Sequence, residues 1–416
     1  FQILDPADLP LTGLLVTDEE GLAETKESLP TGDYKLVEVE APPGYSRGPV
    51  QYFSIGRETG DLSFFRQGVP VLELLADNKP TELVVSKRSL TGEEEIPGAL
   101  LKIIDKEEGD ILEEWISVDE PHLIRGLQSG RTYILREVEA PRGYSLSPEI
   151  EFVLSDSEEV QSLVMRDDLT RVRLVKKDKD TGDKLPGVGF QIEDEEGRLQ
   201  LFSWQEEEQA WAWAELFEAE GSSLLLSDEE GEIEIRGLPQ GRYQVREIQG
   251  PAGYVKLAEP VLLTVTAWSD GDSPVLLVLE NVKTEVLLEK RDGTSGLGLA
   301  GAKLEIMDES GKTVLEAVSD KEGRLLLRGL SPGSYSYREL EAPEGYIRSE
   351  NLYSFTLDEE GRVSGDLLLE NEKEVPMITP TGEGLPGYFY RALIFFALAG
   401  LLCFLARGKT REEMKD

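Results

Sequence analysis

Four stretches of the chain repeat one twelve-residue pattern: YKLVEVEAPPGY (34–45), YILREVEAPRGY (133–144), YQVREIQGPAGY (243–254) and YSYRELEAPEGY (335–346). Each has a tyrosine, a glutamate four positions later and then Pro-x-Gly-Tyr. Because each copy follows a glycine-containing turn, we predict that each begins as a β-strand. A long pattern that recurs in this way is the signature of a repeated structural unit. It predicts four copies of one domain.

Two further elements frame these copies. Three units open with a strand-and-turn pattern, LVVSKRSLTG (83–92), VRLVKKDKDTG (172–182) and VLLEKRDGTSG (286–296). All four units close on a short apolar run, LLADN (74–78), LVMRD (163–167), LVLEN (277–281) and LLLEN (367–371). The first unit lacks the opening element, so we expect it to enter the sequence after its first strand. We name the units repeat one (1–80), repeat two (81–168), repeat three (169–283) and repeat four (284–373), followed by a tail (374–416).

Sheet-forming runs separated by Gly, Pro and Asp turns, with almost no helical periodicity, predict an all-β protein of four tandem immunoglobulin-like β-sandwiches. The tail adds one predicted transmembrane helix. Residues 388–406 are apolar apart from Arg391, and basic residues follow them. The uninterrupted run 392–406 is shorter than a bilayer crossing needs, so residues 388–390 must contribute to the span. A buried soluble helix is the alternative.

Composition excludes several function classes. The 416 residues carry 82 acidic and 43 basic side chains, a formal net charge of −39, which excludes nucleic acid as the main partner. A single cysteine, Cys403, rules out an intrachain disulfide and a cysteine-rich metal site. The only histidine, His122, lies in a polar stretch and is expected in a solvated loop. We therefore predict no cofactor, no metal and no turnover enzyme; among so many carboxylates, chance pairs do not indicate a hydrolase.

Strand parity places three polar groups on the apolar face of each complete repeat, because side chains alternate between faces along a strand. They are the amines Lys87, Lys176 and Lys290, the carboxyls Glu137, Glu247 and Glu339, and the side-chain carbonyl groups of Asp167, Asn281 and Asn371. Burying unpaired charge is costly. One account is a buried salt bridge with a hydrogen-bonded amide. The other is covalent: burial favours a neutral amine beside a protonated carboxyl, and the amine attacks the side-chain carbonyl.

The repeated box, the strand lysine and the terminal Asn resemble the collagen-adhesin B-type, or SpaA-like prealbumin-fold, domains of Gram-positive surface proteins and pilins, over about residues 1–373. The resemblance implies a spontaneous isopeptide bond between the first-strand lysine and an Asn, less often Asp, of the last strand, assisted by the box glutamate. It implies three triads: Lys87–Glu137–Asp167, Lys176–Glu247–Asn281 and Lys290–Glu339–Asn371. Repeat one keeps Glu38 and Asn78 but no corresponding lysine, so no bond is predicted there.

The resemblance also gives the tail a role, since such proteins commonly end in Leu-Pro-x-Thr-Gly, an apolar run and a basic tip. Residues 378–382 keep Thr381 and Gly382 but have Thr where Pro is expected. Sortase-mediated joining of Thr381 to the cell wall and retention by the membrane segment alone both remain open. Either way we expect an extracellular structural stalk or adhesin of a Gram-positive bacterium. Its expected partner is the cell envelope, and a host or matrix protein is a further candidate. A sortase-polymerised pilin subunit is the alternative.

Repeat three carries an insertion, residues 202–222, with Trp204, Trp211 and Trp213 among many glutamates. Clustered exposed aromatic residues are typical of binding sites. A flap that packs these rings onto its own sandwich is the interpretation we favour.

Overall fold

The computed structural model describes residues 1–56, 64–66 and 69–375. Within these ranges every regular element is a β-strand, which confirms the all-β prediction. No helix in the described part of the chain is long and apolar enough to cross a membrane. The predicted transmembrane segment and the sorting residues Thr381 and Gly382 lie outside the described residues. The contacts divide the chain into two compact units, of which the first contains repeats one to three and the second contains most of repeat four.

Repeat two is a sandwich of two sheets. Its strands are β6 (Glu82–Ser89), β7 (Leu100–Asp105), β8 (Ile111–Ile116), β9 (His122–Arg125), β10 (Thr132–Glu139), β11 (Ile150–Val153) and β12 (Gln161–Asp167). One sheet has the order β11-β10-β7-β8 and the other β12-β6-β9. His122 is not a loop residue as predicted: it begins β9 and stacks on Trp115 with ring centroids 4.4 Å apart. That stacking buries part of the imidazole, which the polar local sequence did not indicate.

Repeat three has the same plan with an addition. Its strands are β13 (Arg171–Asp178), β14 (Gly189–Glu193), β15 (Phe202–Gln205), β16 (Ala210–Trp213), β17 (Leu225–Leu226), β18 (Glu232–Arg236), β19 (Gly241–Gln249), β20 (Val261–Val265) and β21 (Val275–Asn281). The sheets have the orders β15-β16-β18-β13-β21 and β17-β14-β19-β20. The inserted hairpin β15–β16 therefore extends one sheet. Trp213 is buried in the core and Trp211 packs against it, while Trp204 is 43% exposed. The insertion packs on its own sandwich.

Repeats four and one complete the series. Repeat four contains β22 (Glu285–Asp292), β23 (Lys303–Met307), β24 (Thr313–Val318), β25 (Arg324–Arg328), β26 (Gly333–Glu341), β27 (Tyr353–Leu357), β28 (Val363–Gly365) and β29 (Leu368–Asn371). Repeat one contains β1 (Gln2–Leu4), β2 (Gly32–Val37), β3 (Gln51–Ile55), β4 (Phe64–Arg66) and β5 (Val69–Val71). In repeat one β1, β2 and β3 form one sheet, and β4 pairs with β5. The pairing of β1 with β2 corresponds to that of β14 with β19.

The first and last strands of the complete repeats are parallel neighbours: β6 with β12, β13 with β21 and β22 with β29. The register is the same each time, since the lysine lies opposite the residue two before the acceptor. Lys176, for example, lies opposite Leu279, and Asn281 is two residues further along β21. Alternation returns the side chain two residues on to the same face. The register therefore brings amine and acceptor together.

A backbone contact joins repeats two and three. Gly143, at φ +85°, lies so close to Gly237 that a side chain on it would meet the Gly237 carbonyl oxygen at 2.6 Å. The buried Thr170 links the same two segments, because its N–H donates to the Gly143 carbonyl at 3.0 Å and its hydroxyl to the Leu238 carbonyl at 2.6 Å. The same contact joins repeats one and two, where it is formed by Gly44, Thr81 and Gly126. Only glycine fits the close approach at this φ.

Candidate isopeptide sites

The site in repeat three is built on the inner face of its first strand. Val172, Leu174 and Lys176 alternate along β13 and are all buried, so the strand carries the lysine into the apolar core. Glu247 reaches it from β19 in the facing sheet, and Asn281 from the end of β21. Strand parity predicted these directions. Strand parity does not predict how close the three side chains come to one another across the two sheets.

In repeat three the three side chains form a closed set of hydrogen bonds. The Lys176 ammonium or amine contacts Oδ1 of Asn281 and lies 2.9 Å from Oε2 of Glu247. The Asn281 amide nitrogen donates to Oε1 of Glu247 at 2.7 Å. All three residues are at most 3% exposed. The glutamate therefore contacts both the lysine nitrogen and the amide nitrogen, rather than the carbonyl oxygen.

Repeat four brings together the corresponding residues. Lys290 contacts Oδ1 of Asn371, and its nitrogen lies 3.4 Å from Oε1 of Glu339. The Asn371 amide donates to both carboxyl oxygens of Glu339, at 3.1 and 3.0 Å. The Ser349 N–H donates to Oε2 of Glu339 at 2.7 Å and fixes the carboxyl from the far side.

Repeat two has a carboxyl acceptor in the same place. Lys87 contacts Oδ1 of Asp167 and lies 2.8 Å from Oε1 of Glu137. Ser147 holds both acids, because its N–H donates to Glu137 at 2.8 Å and its hydroxyl to Oδ1 of Asp167 at 2.6 Å. The second oxygen of Asp167 is buried and has no hydrogen-bond partner in the described part of the chain.

Burial shifts the pKa values of three of these groups in the direction that the chemistry needs. Desolvation lowers the pKa of Lys176 and of Lys290, although the neighbouring glutamate acts against it. Desolvation raises the pKa of Glu137 to about 7; Asp167 adds to this effect and Lys87 opposes it. A neutral amine beside a proton-bearing carboxyl is a nucleophile with a proton carrier. In the described ranges, no group of three His, Cys, Asp or Glu side chains could hold a metal ion.

A second buried cluster, which the sequence analysis did not identify, lies next to two of these sites. Asp178 lies opposite Asn281 in the strand pairing, and its carboxylate accepts a hydrogen bond from the Tyr254 hydroxyl at 2.8 Å. The Lys283 ammonium is 3.3 Å from the same carboxylate. Burial alone would raise the pKa of Asp178, but the Tyr254 hydroxyl, two backbone N–H donors and Lys283 hold it at about 2.

Repeat four has the same cluster in Asp292, Tyr346 and Lys373. Repeat two has Ser89 at this position, where an aspartate would face the carboxyl acceptor Asp167. Two neighbouring carboxylates at these paired positions would repel each other. The Lys-x-Asp spacing of repeats three and four was the available sequence signal.

Comparison with known families identifies the repeated domain. The family model described as "SpaA: Prealbumin-like fold domain" matches residues 81–169, 170–275 and 284–372. The first and third stretches contain complete triads, and the second contains Lys176 and Glu247 but ends before Asn281. No curated protein matches the chain.

Several solved structures are similar to the chain. The Bacillus anthracis TIE protein is 21% identical, with 89% of this chain and 68% of that chain covered and a TM-score of 0.41. A streptococcal ancillary pilin is 21% identical, with 71% and 99% covered and a TM-score of 0.30. BcpA, the major pilin subunit of Bacillus cereus, is 15% identical, with 71% and 99% covered and a TM-score of 0.29.

Proposed function

The chain belongs to the SpaA family of prealbumin-like fold domains, and we propose that it is a surface stalk or adhesin of a Gram-positive bacterium whose repeats are crosslinked by isopeptide bonds. One observation carries the proposal. In each of three repeats a buried lysine nitrogen contacts the side-chain carbonyl of the last strand, and a buried glutamate contacts the lysine. A buried salt bridge with a hydrogen-bonded amide would make the same contacts in repeats three and four, so the covalent state of the chain distinguishes the two accounts.

The bond follows from the contacts in repeat three. The Lys176 nitrogen attacks Cγ of Asn281 and loses one proton to Oε2 of Glu247. Glu247 delivers a proton from Oε1 to the Asn281 amide nitrogen, which it already contacts at 2.7 Å. The bond from Cγ to that nitrogen breaks, ammonia leaves and a secondary amide remains. In repeat two the reacting form of Asp167 is the protonated carboxyl. The Lys87 nitrogen attacks Cγ and loses one proton to Glu137, the bond from Cγ to the hydroxyl oxygen breaks, and that oxygen takes up one proton and leaves as water. Each reaction occurs once, so the chain is a substrate of its own chemistry and not a turnover enzyme.

The position of the bonds suggests a mechanical role. Each would join the first strand of a sandwich to the last, so tension on the two ends of the repeat would load a covalent bond instead of a ladder of hydrogen bonds. A surface stalk needs this property. The net charge of −39 favours solubility, because like charges keep chains apart.

The mass of the denatured chain tests the crosslinks. We expect a deficit of two ammonias and one water relative to the sequence, and peptide mapping should place them at the three lysines. The control is the triple Lys→Arg variant at positions 87, 176 and 290, which should have its full mass. A wild-type chain of full mass would refute the bonds.

We further propose that the tail anchors the chain, through Thr381 and a sortase or through the apolar segment 388–406. Cell fractionation of the producing bacterium separates these routes, since only wall-linked protein is released by wall hydrolases. The same extracts test the pilin alternative, because a polymerised subunit gives a ladder of covalent multimers on denaturing gels and a stalk gives a single band.

A further inference from the structure

The loop that follows each repeated box is held beside the acceptor. In every complete repeat the first residue after the box donates its N–H to the carbonyl of the residue after the acceptor, at 2.9 Å. The donors and their partners are Ser145 with Asp168, Val255 with Val282, and Ile347 with Glu372. Two residues further on the loop reaches the triad, because an N–H donates to the triad glutamate in repeats two and four, from Ser147 and Ser349. The side chain at this position therefore lies next to the reacting groups.

The side chain at this position differs between the repeats. The Ser147 hydroxyl donates to Oδ1 of Asp167 at 2.6 Å. The Ser349 hydroxyl lies 3.2 Å from the Tyr353 hydroxyl instead. Repeat three has Leu257 at this position, which carries no hydroxyl. In the described part of the chain, the hydroxyl contact therefore accompanies the carboxyl acceptor and not the two amide acceptors.

Repeat two also lacks a contact that the amide acceptors have. The amide nitrogen of Asn281 donates to the triad glutamate at 2.7 Å, and that of Asn371 does so at 3.1 and 3.0 Å. A carboxyl acceptor has no amide hydrogen to place there. Among the described residues, the side chain of Asp167 has hydrogen-bond contacts with two groups only, the Lys87 nitrogen and the Ser147 hydroxyl. The serine therefore supplies a contact that the glutamate makes in the other repeats.

The Ser147 hydroxyl is placed to respond to charge on Oδ1. A hydroxyl has one proton, and here the carbonyl oxygen of Arg166 and Oδ1 of Asp167 both lie within its reach. When Lys87 attacks Cγ, negative charge develops on Oδ1, and the lysine nitrogen can no longer donate to that oxygen. A hydrogen bond to a charged oxygen is stronger than one to a neutral carbonyl. Ser147 is 9% exposed, and a buried setting strengthens the bond further.

We propose that Ser147 is a catalytic residue of repeat two, whose hydroxyl stabilises the negative oxygen that forms when Lys87 attacks Asp167. The inference rests on the proposed isopeptide chemistry. The bond from Nζ of Lys87 to Cγ forms as the carbonyl electron pair moves onto Oδ1, and Ser147 donates to that oxygen. The pair then returns and the bond from Cγ to the other oxygen breaks. This oxygen takes up one proton and leaves as water, which balances the proton that the nitrogen gave to Glu137.

The rate of crosslinking in the full chain tests this role. Freshly translated chain is denatured at intervals and digested, and mass spectrometry measures the branched peptide that joins Lys87 to Asp167. Ser147→Ala should slow its formation by roughly 10²- to 10³-fold, the typical effect of removing one such donor. The branched peptides of repeats three and four, measured in the same digest, should form at wild-type rates. An unchanged rate in repeat two overturns the proposal.

Two serine variants separate the hydroxyl from the rest of the side chain. Ser147→Thr keeps the hydroxyl and should restore most of the rate, and slowing equal to that of Ser147→Ala overturns the proposal. Ser349→Ala is the matched control, because it removes a hydroxyl from the same loop position where the hydroxyl contacts Tyr353 and not the acceptor. It should leave the rate of repeat four unchanged. Comparable slowing there would show that the hydroxyl acts without touching the acceptor, and overturns the proposal.

A change of acceptor separates catalysis from folding. In the Asp167→Asn background an amide hydrogen can reach Glu137, as it reaches Glu247 in repeat three. Ser147→Ala should therefore slow the reaction far less in that background than in the wild-type chain. A serine that only maintained the loop would be needed equally for both acceptors, so equal slowing in the two backgrounds overturns the proposal.

The same digests separate this inference from the proposed function. If the wild-type chain forms the three branched peptides and Ser147→Ala forms them equally fast, only the role of Ser147 fails. If the wild-type chain forms no branched peptide in any repeat, the proposed chemistry itself fails.

Discussion

Replacing Glu247 by glutamine should remove the crosslink of repeat three without changing the size of the side chain. Lys176 and Asn281 are 105 residues apart in sequence. By the chain-entropy argument used for disulfides, a crosslink that closes a loop of this length stabilises the fold by about 5 kcal/mol at 25 °C. For a domain of this size the loss would lower the melting temperature by roughly 20 °C. Such a loss approaches the whole stability of a typical domain, about 5–15 kcal/mol.

Thermal unfolding followed by tryptophan fluorescence reports mainly on repeat three, because four of the five tryptophans lie there. The mass of the denatured variant gives the covalent state in the same sample. Glu280→Gln is the matched control, since Glu280 is exposed on the opposite face of β21. Asn281→Ala separates the crosslink from the ion pair, because it removes the acceptor and leaves the carboxyl beside Lys176.

We expect Glu247→Gln and Asn281→Ala each to show a deficit, relative to the mass calculated from its own sequence, that is one ammonia smaller than that of wild type, and to melt at similarly reduced temperatures. Glu280→Gln should match wild type in both the deficit and the melting temperature. An equal mass deficit for wild type and Glu247→Gln would refute the reasoning. Equal melting temperatures despite the mass difference would show that the crosslink forms but does not stabilise the fold.

Three further results are expected. Asp167→Asn should keep the crosslink of repeat two but change the lost molecule from water to ammonia, as mass spectrometry will show; no crosslink would mean that the site requires a carboxyl. The fold raises the pKa of Glu137 to about 7 and so favours its protonated form. The stability that this protonation contributes is complete below the pKa of Glu137 in the unfolded chain, and it is lost as pH rises through about 7. Crosslinking of repeat two in freshly translated chain should therefore slow across that range on a gel time course, and a faster reaction would contradict it. Gly143→Ala should destabilise the contact with Gly237 by about 1–3 kcal/mol more than the control Gly130→Ala, because Gly130 has a similar φ but open space around it. Hydrogen exchange at the Gly237 amide measures the difference. Equal exchange in the two variants would exclude the close approach as the cause.

The sequence predicted most of the triads because parity is a local property. Lys176 shares a face with Val172 and Leu174 whatever the rest of the fold does, and a buried lysine then needs a partner. The closeness of Glu247 and Asn281 depends on the register of β13 with β21, which no local pattern contains. The repeats indicated this closeness indirectly, since a lysine, a glutamate and an Asn or Asp recur at corresponding positions in three of them.

Parity along single strands identified the triad residues, but it could not identify the Asp178 cluster. Its three members come from a strand end, the last tyrosine of the box and the linker lysine Lys283, so no single strand pattern contains them. His122 was misplaced because its neighbours in sequence are polar, whereas its contact, Trp115, lies on another strand. Contacts between segments that are distant in sequence are the hardest to predict from a single sequence.

The common register of the first and last strands has a consequence for how far such a chain could lengthen. Lys176 comes nine positions after Asp167, and Lys290 comes nine positions after Asn281. If the amides form, only these short segments lie on the path between one bond and the next, and each can extend by no more than about 30 Å. The rest of each crosslinked repeat would be bypassed by the load. Such a tether would act as a nearly inextensible cord that passes hydrodynamic drag to its attachment points without absorbing it.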